Sequence, residues 1–272
     1  MRVLVIGKGV WGTKLYNTVC TLGYEVVAAT RDWEDHLTNV THAIIATPAS
    51  SHAAIAESLL RRGIHCLVEK PAVLTTEQAL RLKEASNLGN SKVFCHTPYL
   101  YHNLNMKLIE KVTATPGTFS YRSIRKNVEG KHADGNSFIN LAAHDLANLW
   151  ALGARNLELS YASVCKNDIT VSLHNITSEE ICRRAYITTG KLADRKTRYI
   201  YIEKDKAKSY QLVDDKFLIR CSELDETLLP STNAIEYSLK DFIAFTHAPC
   251  DIEFIEWSAK LIETVSTHLG SI

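Results

Sequence analysis

The chain has 272 residues, 46% of them hydrophobic and 22% charged, with a formal net charge of +1. That is room for one large domain or two modest ones with an ordinary globular composition. Nothing global points to nucleic acid or to a membrane, and apolar runs such as residues 3–6 and 43–46 are far too short to span a bilayer. The seven cysteines are scattered, odd in number and contain no CxxC pair. They read as free thiols in a reducing compartment, with no metal site. The N-terminus runs straight into a strand without a signal-peptide pattern, so a cytoplasmic location is expected.

Residues 3–6 (VLVI) are a continuous run of apolar β-formers, the pattern of a strand buried on both faces. The turn Gly7-Lys8-Gly9-Val10-Trp11-Gly12 follows at once, and residues 13–22 then carry Leu15, Val19 and Leu22 at helical spacing. A GxGxxG turn acquires meaning when it leaves a strand and opens a helix, as here. Gly7 permits the tight turn, Gly9 lets the backbone approach a pyrophosphate, and Gly12 lets the helix pack closely on the strand. The helix N-terminus offers its N–H groups to the phosphates. Val10 and Trp11 belong to the same cofactor turn, with the Trp11 ring expected to pack.

Residues 25–29 form the second strand, which ends in Thr30-Arg31-Asp32. Thr30 and Arg31 are read as meeting the adenosine ribose. An arginine stacks on adenine and pairs with a 2′-phosphate, which favours NADP. Asp32 keeps NAD open, since a shift of one or two residues puts a carboxylate on the ribose. The third strand, residues 43–46, is followed by Thr47 and Pro48, candidates for contact with the nicotinamide half. His52 opens a helix over residues 52–62, as a cap or as a ligand contact.

The fourth strand, residues 66–68, delivers Glu69, Lys70 and Pro71. A lysine at the carboxyl end of a buried parallel strand is partly desolvated. Its proton affinity falls, so proton exchange with an alcohol becomes feasible near neutrality. Glu69 projects to the other side of the strand, anchors local structure and completes the cofactor edge. Thr75 or Thr76 caps the next helix, residues 93–95 form the fifth strand, and a helix over 103–111 leads to Pro116-Gly117. Alternating strands and helices with short connections predict a parallel sheet with right-handed crossovers.

After Gly117 the pattern changes to strand-like runs at 118–123, 157–164, 169–173, 181–188 and 197–202, separated by turn residues. Helices are predicted over 138–152, 234–245 and 253–269. The fold class is therefore an α/β Rossmann domain with a parallel, doubly wound sheet, over residues 1–117. An α+β domain with a mainly antiparallel sheet follows over 118–272.

The segments GKGVWG, ATPASSH and GIHCLVEKPAVLTTEQA, with His96-Thr97-Pro98-Tyr99-Leu100-Tyr101 and Asn140-Leu141-Ala142-Ala143-His144-Asp145, resemble the Gfo/Idh/MocA oxidoreductases. The resemblance implies NAD(P)-dependent oxidation or reduction of sugars, inositols and related compounds. It implies that the antiparallel sheet is open and that its domain serves substrate binding and oligomerisation. It implies that Lys70 is catalytic, with an aspartate and a histidine four residues apart on one helix face. The histidine position is His144. The aspartate position is Asn140, which can orient the imidazole but cannot supply charge. Asp145 projects about 100° away around the helix and is a poor substitute.

A basic, polar strip lies between Tyr121 and His144: Arg122, Arg125, Lys126, Asn127, Lys131, His132 and Asn136. It is either a solvated loop or a cleft lining, in which arginine forks suit phosphates and carboxylates. RKNVEGKHADGN followed by NLAAHD also resembles family members of surface-polysaccharide and nucleotide-sugar pathways. The expected partner is thus an anionic or nucleotide-linked sugar, with Tyr99 and Tyr101 adding hydrogen bonds or stacking. The competing readings are a catalytically silent sensor of cofactor or sugar, and a reductase of an imine or other non-sugar. A homodimer or homotetramer through the antiparallel sheet is expected.

Overall fold

The strands predicted in the first part of the chain form one parallel sheet in the computed structural model. They are β1 (Arg2–Ile6), β2 (Glu25–Ala29), β3 (Val40–Ile45), β4 (His65–Glu69) and β5 (Val93–His96), in the order β2-β1-β3-β4-β5. The structure describes residues 1–127, 137–177, 181–190, 196–204, 208–215, 218–221, 227–228, 234–246 and 249–270. The chain runs from β1 to β2 on one side and then crosses to β3 on the other. This reversal places the switch point between β1 and β3, where open α/β sheets take their ligands at the strands' carboxyl ends.

Helices α1 (Val10–Thr21), α2 (Ala49–Arg61) and α3 (Thr76–Leu88) are the crossovers. The choice of cap for α3 is resolved: the Thr75 hydroxyl accepts from the Gln78 N–H at 3.2 Å, and Gln78 Oε1 accepts from the Leu74 N–H at 2.8 Å. One orphan amide of the helix is satisfied, and the Gln78 side chain ties the first turn back to the residue before the cap.

One face of this sheet presents Val3, Val5, Ile44, Leu67 and Phe94, packed with Leu15 and Val19 of α1. It also receives Leu239, Phe242 and Ile243 from α7 (Ala234–Ala244). The first compact unit is therefore Met1–Pro98 with Asn233–Lys260, and the second is Tyr99–Thr232 with Leu261–Ile272. The sequence reading divides the chain at 117 and leaves α7 in the second part. Helical periodicity marks α7's apolar face but not which sheet that face covers.

His42 of β3 is 5% exposed and sits among the rings of His65, Phe242 and Phe245. Burial, and then the nearby His65, lowers its pKa to about 4. An unfolded histidine titrates near about 6.5, so between these values the unfolded chain binds more protons. The stability contributed by neutral His42 is present above that range and is lost as pH falls through about 4. His42→Leu is expected to flatten the acid side of the stability profile of this unit, measured by denaturant midpoints between neutral and acid pH.

The second unit carries α4 (Asn103–Ala114), α5 (Ser137–Leu141), α6 (Ala143–Ala151) and an eight-stranded sheet. Its strands are β6 (Phe119–Lys126), β7 (Leu157–Cys165), β8 (Asp168–Asn175), β9 (Cys182–Gly190), β10 (Thr197–Lys204), β11 (Lys208–Asp215), β12 (Leu218–Cys221) and β13 (Thr227–Leu228). The order is β13-β12-β11-β10-β6-β9-β8-β7, and each neighbouring pair is antiparallel except β6 with β9. Strands β11 to β13 were not anticipated, because charged residues interleaved through 203–226 hide their alternation.

The single helix expected over 138–152 is divided at Ala142. The Ala142 carbonyl accepts the N–H groups of both Asp145 and Leu146 at 2.8 Å, a tightened turn between the two helices. Asn140 thus lies in α5, one residue before its end, while His144 lies in α6, one residue after its start. No helix among the described residues is long and apolar enough to cross a membrane.

Candidate functional site

The glycine turn has the geometry its spacing predicts. Gly7 has φ of 116°, and a Cβ there would lie 2.4 Å from the Ala46 carbonyl oxygen at the end of β3. A Cβ on Gly12 would lie 2.0 Å from the Gly7 oxygen, so helix and strand close to a distance only glycine permits. Gly9 differs: a Cβ there would meet nothing within 4 Å. Gly9 is also the N-cap of α1, and no side chain caps its amides. Open space beside uncapped N–H groups is what a pyrophosphate requires. The turn therefore has room for the pyrophosphate of a dinucleotide at Gly9.

At the end of β2 the Asp32 carboxylate is already engaged. Its Oδ1 accepts from the Thr30 N–H at 2.9 Å and the Thr30 hydroxyl at 3.1 Å, and Oδ2 lies 3.4 Å from His36. These bonds, the Thr30 backbone bond foremost, hold Asp32 well below the usual carboxylate range. Arg31 is exposed beside it.

At the end of β3, Thr47 Oγ1 accepts from the Ser51 hydroxyl at 2.8 Å. Helix α2 begins at Ala49 with Pro48 as its N-cap, so His52 lies inside the helix and is not its cap. Its ring is 1% exposed, with Nε2 2.8 Å from the Thr47 carbonyl and Nδ1 3.0 Å from the Pro71 carbonyl. The imidazole braces the 47–48 edge against the segment after Lys70. Burial lowers its pKa, and a neutral ring has one N–H to give to the two carbonyls.

Lys70 follows β4 directly, half-buried and joined to Pro71 by a cis peptide bond. Glu69 beside it is 7% exposed and accepts from the Trp11 indole N–H and from His96 Nδ1, the latter at 2.5 Å. His96 Nε2 lies 3.0 Å from the Ser238 hydroxyl of α7. A hydrogen-bonded chain thus runs from the phosphate turn through the strand that carries Lys70 to β5 and α7. His96 enters the sequence reading only as part of a resembling segment, with no role, and Ser238 does not enter it. A histidine ending a buried strand was the available signal, since a buried imidazole needs partners.

In the second unit the pleat of β6 divides the predicted strip. Phe119, Tyr121, Ser123 and Arg125 share its buried face, whereas Arg122 points to the other and lies over the Tyr186 ring at 5.7 Å. Arg122 and Arg125 therefore do not act on one ligand from one face. Arg125 is 2% exposed and its Nε donates to Asp145 Oδ2 at 2.6 Å. The fully buried Asp145 also accepts from the Tyr121 hydroxyl at 2.7 Å. Asp145 holds the Arg125 guanidinium firmly in its charged form against the cost of burial.

The Tyr99 ring lies 4.5 Å from the Arg125 guanidinium and 5.9 Å, centroid to centroid, from His144. Asn105 Nδ2 donates to the Tyr99 carbonyl at 3.2 Å and to Asn148 Oδ1 at 2.8 Å, which braces the turn carrying Tyr99. Tyr101 is buried, Asn140 and His144 are half-buried, and the Asn127 N–H donates to the Gly190 carbonyl at 3.1 Å. Asn136, like Lys131 and His132, lies outside the described residues.

A glycine-turn parallel sheet followed by a mixed, mainly antiparallel sheet defines a two-unit protein with an NAD-type Rossmann domain. Residues 17–96 match the family model described as "Oxidoreductase family, NAD-binding Rossmann fold" (GFO_IDH_MocA). A segment of 43 residues is 49% identical to UDP-N-acetylglucosamine 3-dehydrogenase of Acidithiobacillus ferrooxidans, covering 16% of this chain and 14% of that protein. The solved structure of that dehydrogenase, GnnA, shares the fold with a TM-score of 0.79 at 17% identity, covering 98% of this chain and 96% of that one. KijD10, a 3-ketoreductase from Actinomadura kijaniata solved with NADP and TDP-benzene, gives 0.75 at 16% identity over 98% and 97%. GenD2 from gentamicin A biosynthesis, solved with NAD, gives 0.75 at 16% identity over 98% and 92%.

Proposed function

We propose that this protein is an NAD(P)-dependent oxidoreductase acting on a carbinol or ketone of a sugar or sugar nucleotide. One observation carries the reading: the glycine turn, the Thr47-Pro48 edge and Lys70 leave the carboxyl ends of β1, β3 and β4, which are adjacent strands of one sheet. Gly7, Gly9, Val10 and Gly12 hold the phosphates, Thr30 and Arg31 the adenosine end, and Thr47 and Pro48 the nicotinamide end. Trp11, Glu69 and His52 support these edges. A bound nicotinamide dinucleotide supplies the hydride acceptor or donor.

In the oxidative direction the carbinol carbon loses hydride while its hydroxyl proton passes to the Lys70 amine; reduction returns both. His144 assists, oriented by Asn140 in place of the family aspartate, and Tyr99, Tyr101 and Arg125 take the substrate. The likeness to GnnA, a UDP-N-acetylglucosamine 3-dehydrogenase, and to KijD10, a 3-ketoreductase, supports this substrate class. The second unit's sheet pairs copies of the chain into a dimer or tetramer. Exposed Tyr161 and Val164 on the edge strand β7 support that reading.

Cofactor absorbance over a panel of UDP- and TDP-sugars tests the activity; no hydride transfer with any of them, despite cofactor binding, favours the silent sensor. Asn140 and the helix break at Ala142 are what keep that second reading in play. Arg31, beside an Asp32 already bonded to Thr30, points to NADP. Arg31→Ala is expected to weaken NADPH by about tenfold with little change for NADH. Fluorescence titration reads both, and an equal effect on the two cofactors removes Arg31 from 2′-phosphate recognition.

A further inference from the structure

The pairing of β6 with β10 sets Arg125 directly opposite Arg198. Both lie on the sheet face shared by Tyr121, Ser123, Ile200 and Ile202, and both meet one ring: Tyr99 is 4.5 Å from the first guanidinium and 6.0 Å from the second. Like charges directly opposite across a sheet are destabilising. Burial makes this arrangement more costly still, because a desolvated cation needs acceptors. Asp145 meets Arg125 only through its Nε. The terminal nitrogens of Arg125, Nη1 and Nη2, are buried and have no hydrogen-bond partner among the described residues.

That unpartnered edge is the part of a guanidinium that grips two oxygens of one anion. The edge is also held in place. Asp145 fixes Nε, Tyr121 fixes Asp145, and the Asn148–Asn105 pair fixes the turn that carries Tyr99. An arginine kept only for packing has no need of a second arginine opposite it.

We propose that Arg125 and Arg198, paired across β6 and β10 against the ring of Tyr99, form a subsite for a two-oxygen anion, a carboxylate or a phosphate. This rests on the reading that the second unit takes the substrate. His144 packs against the same tyrosine at 5.9 Å, so the subsite fixes a charged end of the substrate beside the histidine of the motif. The enzyme then prefers substrates with an acidic group to neutral sugars of the same shape.

Binding to the whole chain is measured by calorimetry with UDP, glucuronate and UDP-glucuronate, with glucose as the neutral control and NADP(H) titrated separately. Tighter binding of UDP than of glucuronate identifies the phosphate as the anion, and the reverse identifies the carboxylate. Arg198→Met and Arg125→Lys are expected to weaken the better anion by about 10- to 100-fold each, leaving NADP(H) affinity unchanged. Arg125→Lys keeps the charge and loses the fork, so folding is preserved while two-point recognition is not. Anion affinity equal to wild type in both variants, or no anion binding by the wild type beyond that of glucose, overturns the subsite. Either result leaves intact an oxidoreductase that turns over a neutral sugar, so the two readings fail separately.

Discussion

Lys70→Met is expected to lower turnover by about two to four orders of magnitude while NADP(H) still binds. Lys70 stands just past β4, half-buried, outside the glycine turn. Methionine fills a similar volume and offers no proton, so the change isolates chemistry from packing. Lys70→Arg adds a second discrimination. Arginine keeps the positive charge but cannot release its proton in this range, so a true proton carrier is lost in both variants. Retention of activity in Lys70→Arg alone reduces the role of Lys70 to electrostatic orientation. Activity near wild type in Lys70→Met removes the residue from the reaction altogether. Turnover is followed by NADPH absorbance, and cofactor affinity by fluorescence in the same samples.

What was legible in the sequence was local. Residues 3–6 and the six-residue glycine turn carry strand, turn and helix start in consecutive positions, so their geometry follows from short-range sterics. The same holds for the strand ends at Thr47 and Lys70. What was not legible joins residues far apart in the chain. Glu69 meets Trp11 and His96, and His96 meets Ser238 on a helix whose periodicity does not name its sheet. The strip from Arg122 to Asn136 was read by composition, although strand alternation already separates Arg122 from Arg125, three positions apart. Asp145 had a signal too: an acidic residue between the apolar positions of a buried helix face demands a cationic or hydroxyl partner. The helix break at Ala142 had none, because Asn140 to His144 fits one continuous helical face equally well.

Asp145→Ala is expected to destabilise the second unit by about 3–5 kcal/mol. The Asp145 carboxylate is fully buried and joins two elements, taking Arg125 Nε and the Tyr121 hydroxyl of β6 onto α6. Its loss leaves a buried guanidinium without its counter-charge and a buried hydroxyl without its acceptor. Tyr121→Phe removes a single hydroxyl and is expected to cost only about 1 kcal/mol. The double variant Asp145→Ala with Arg125→Met removes both charges, so it is expected to be more stable than Asp145→Ala alone, which is the signature of a charge stranded by the single change. Hydrogen exchange at the amides of β6 and α6, read beside denaturant unfolding, assigns the loss to this unit. Wild-type protection and midpoint in Asp145→Ala would show that the ion pair does not hold β6 to α6. A double variant no better than the single one would show that packing volume, rather than charge pairing, is what the aspartate supplies.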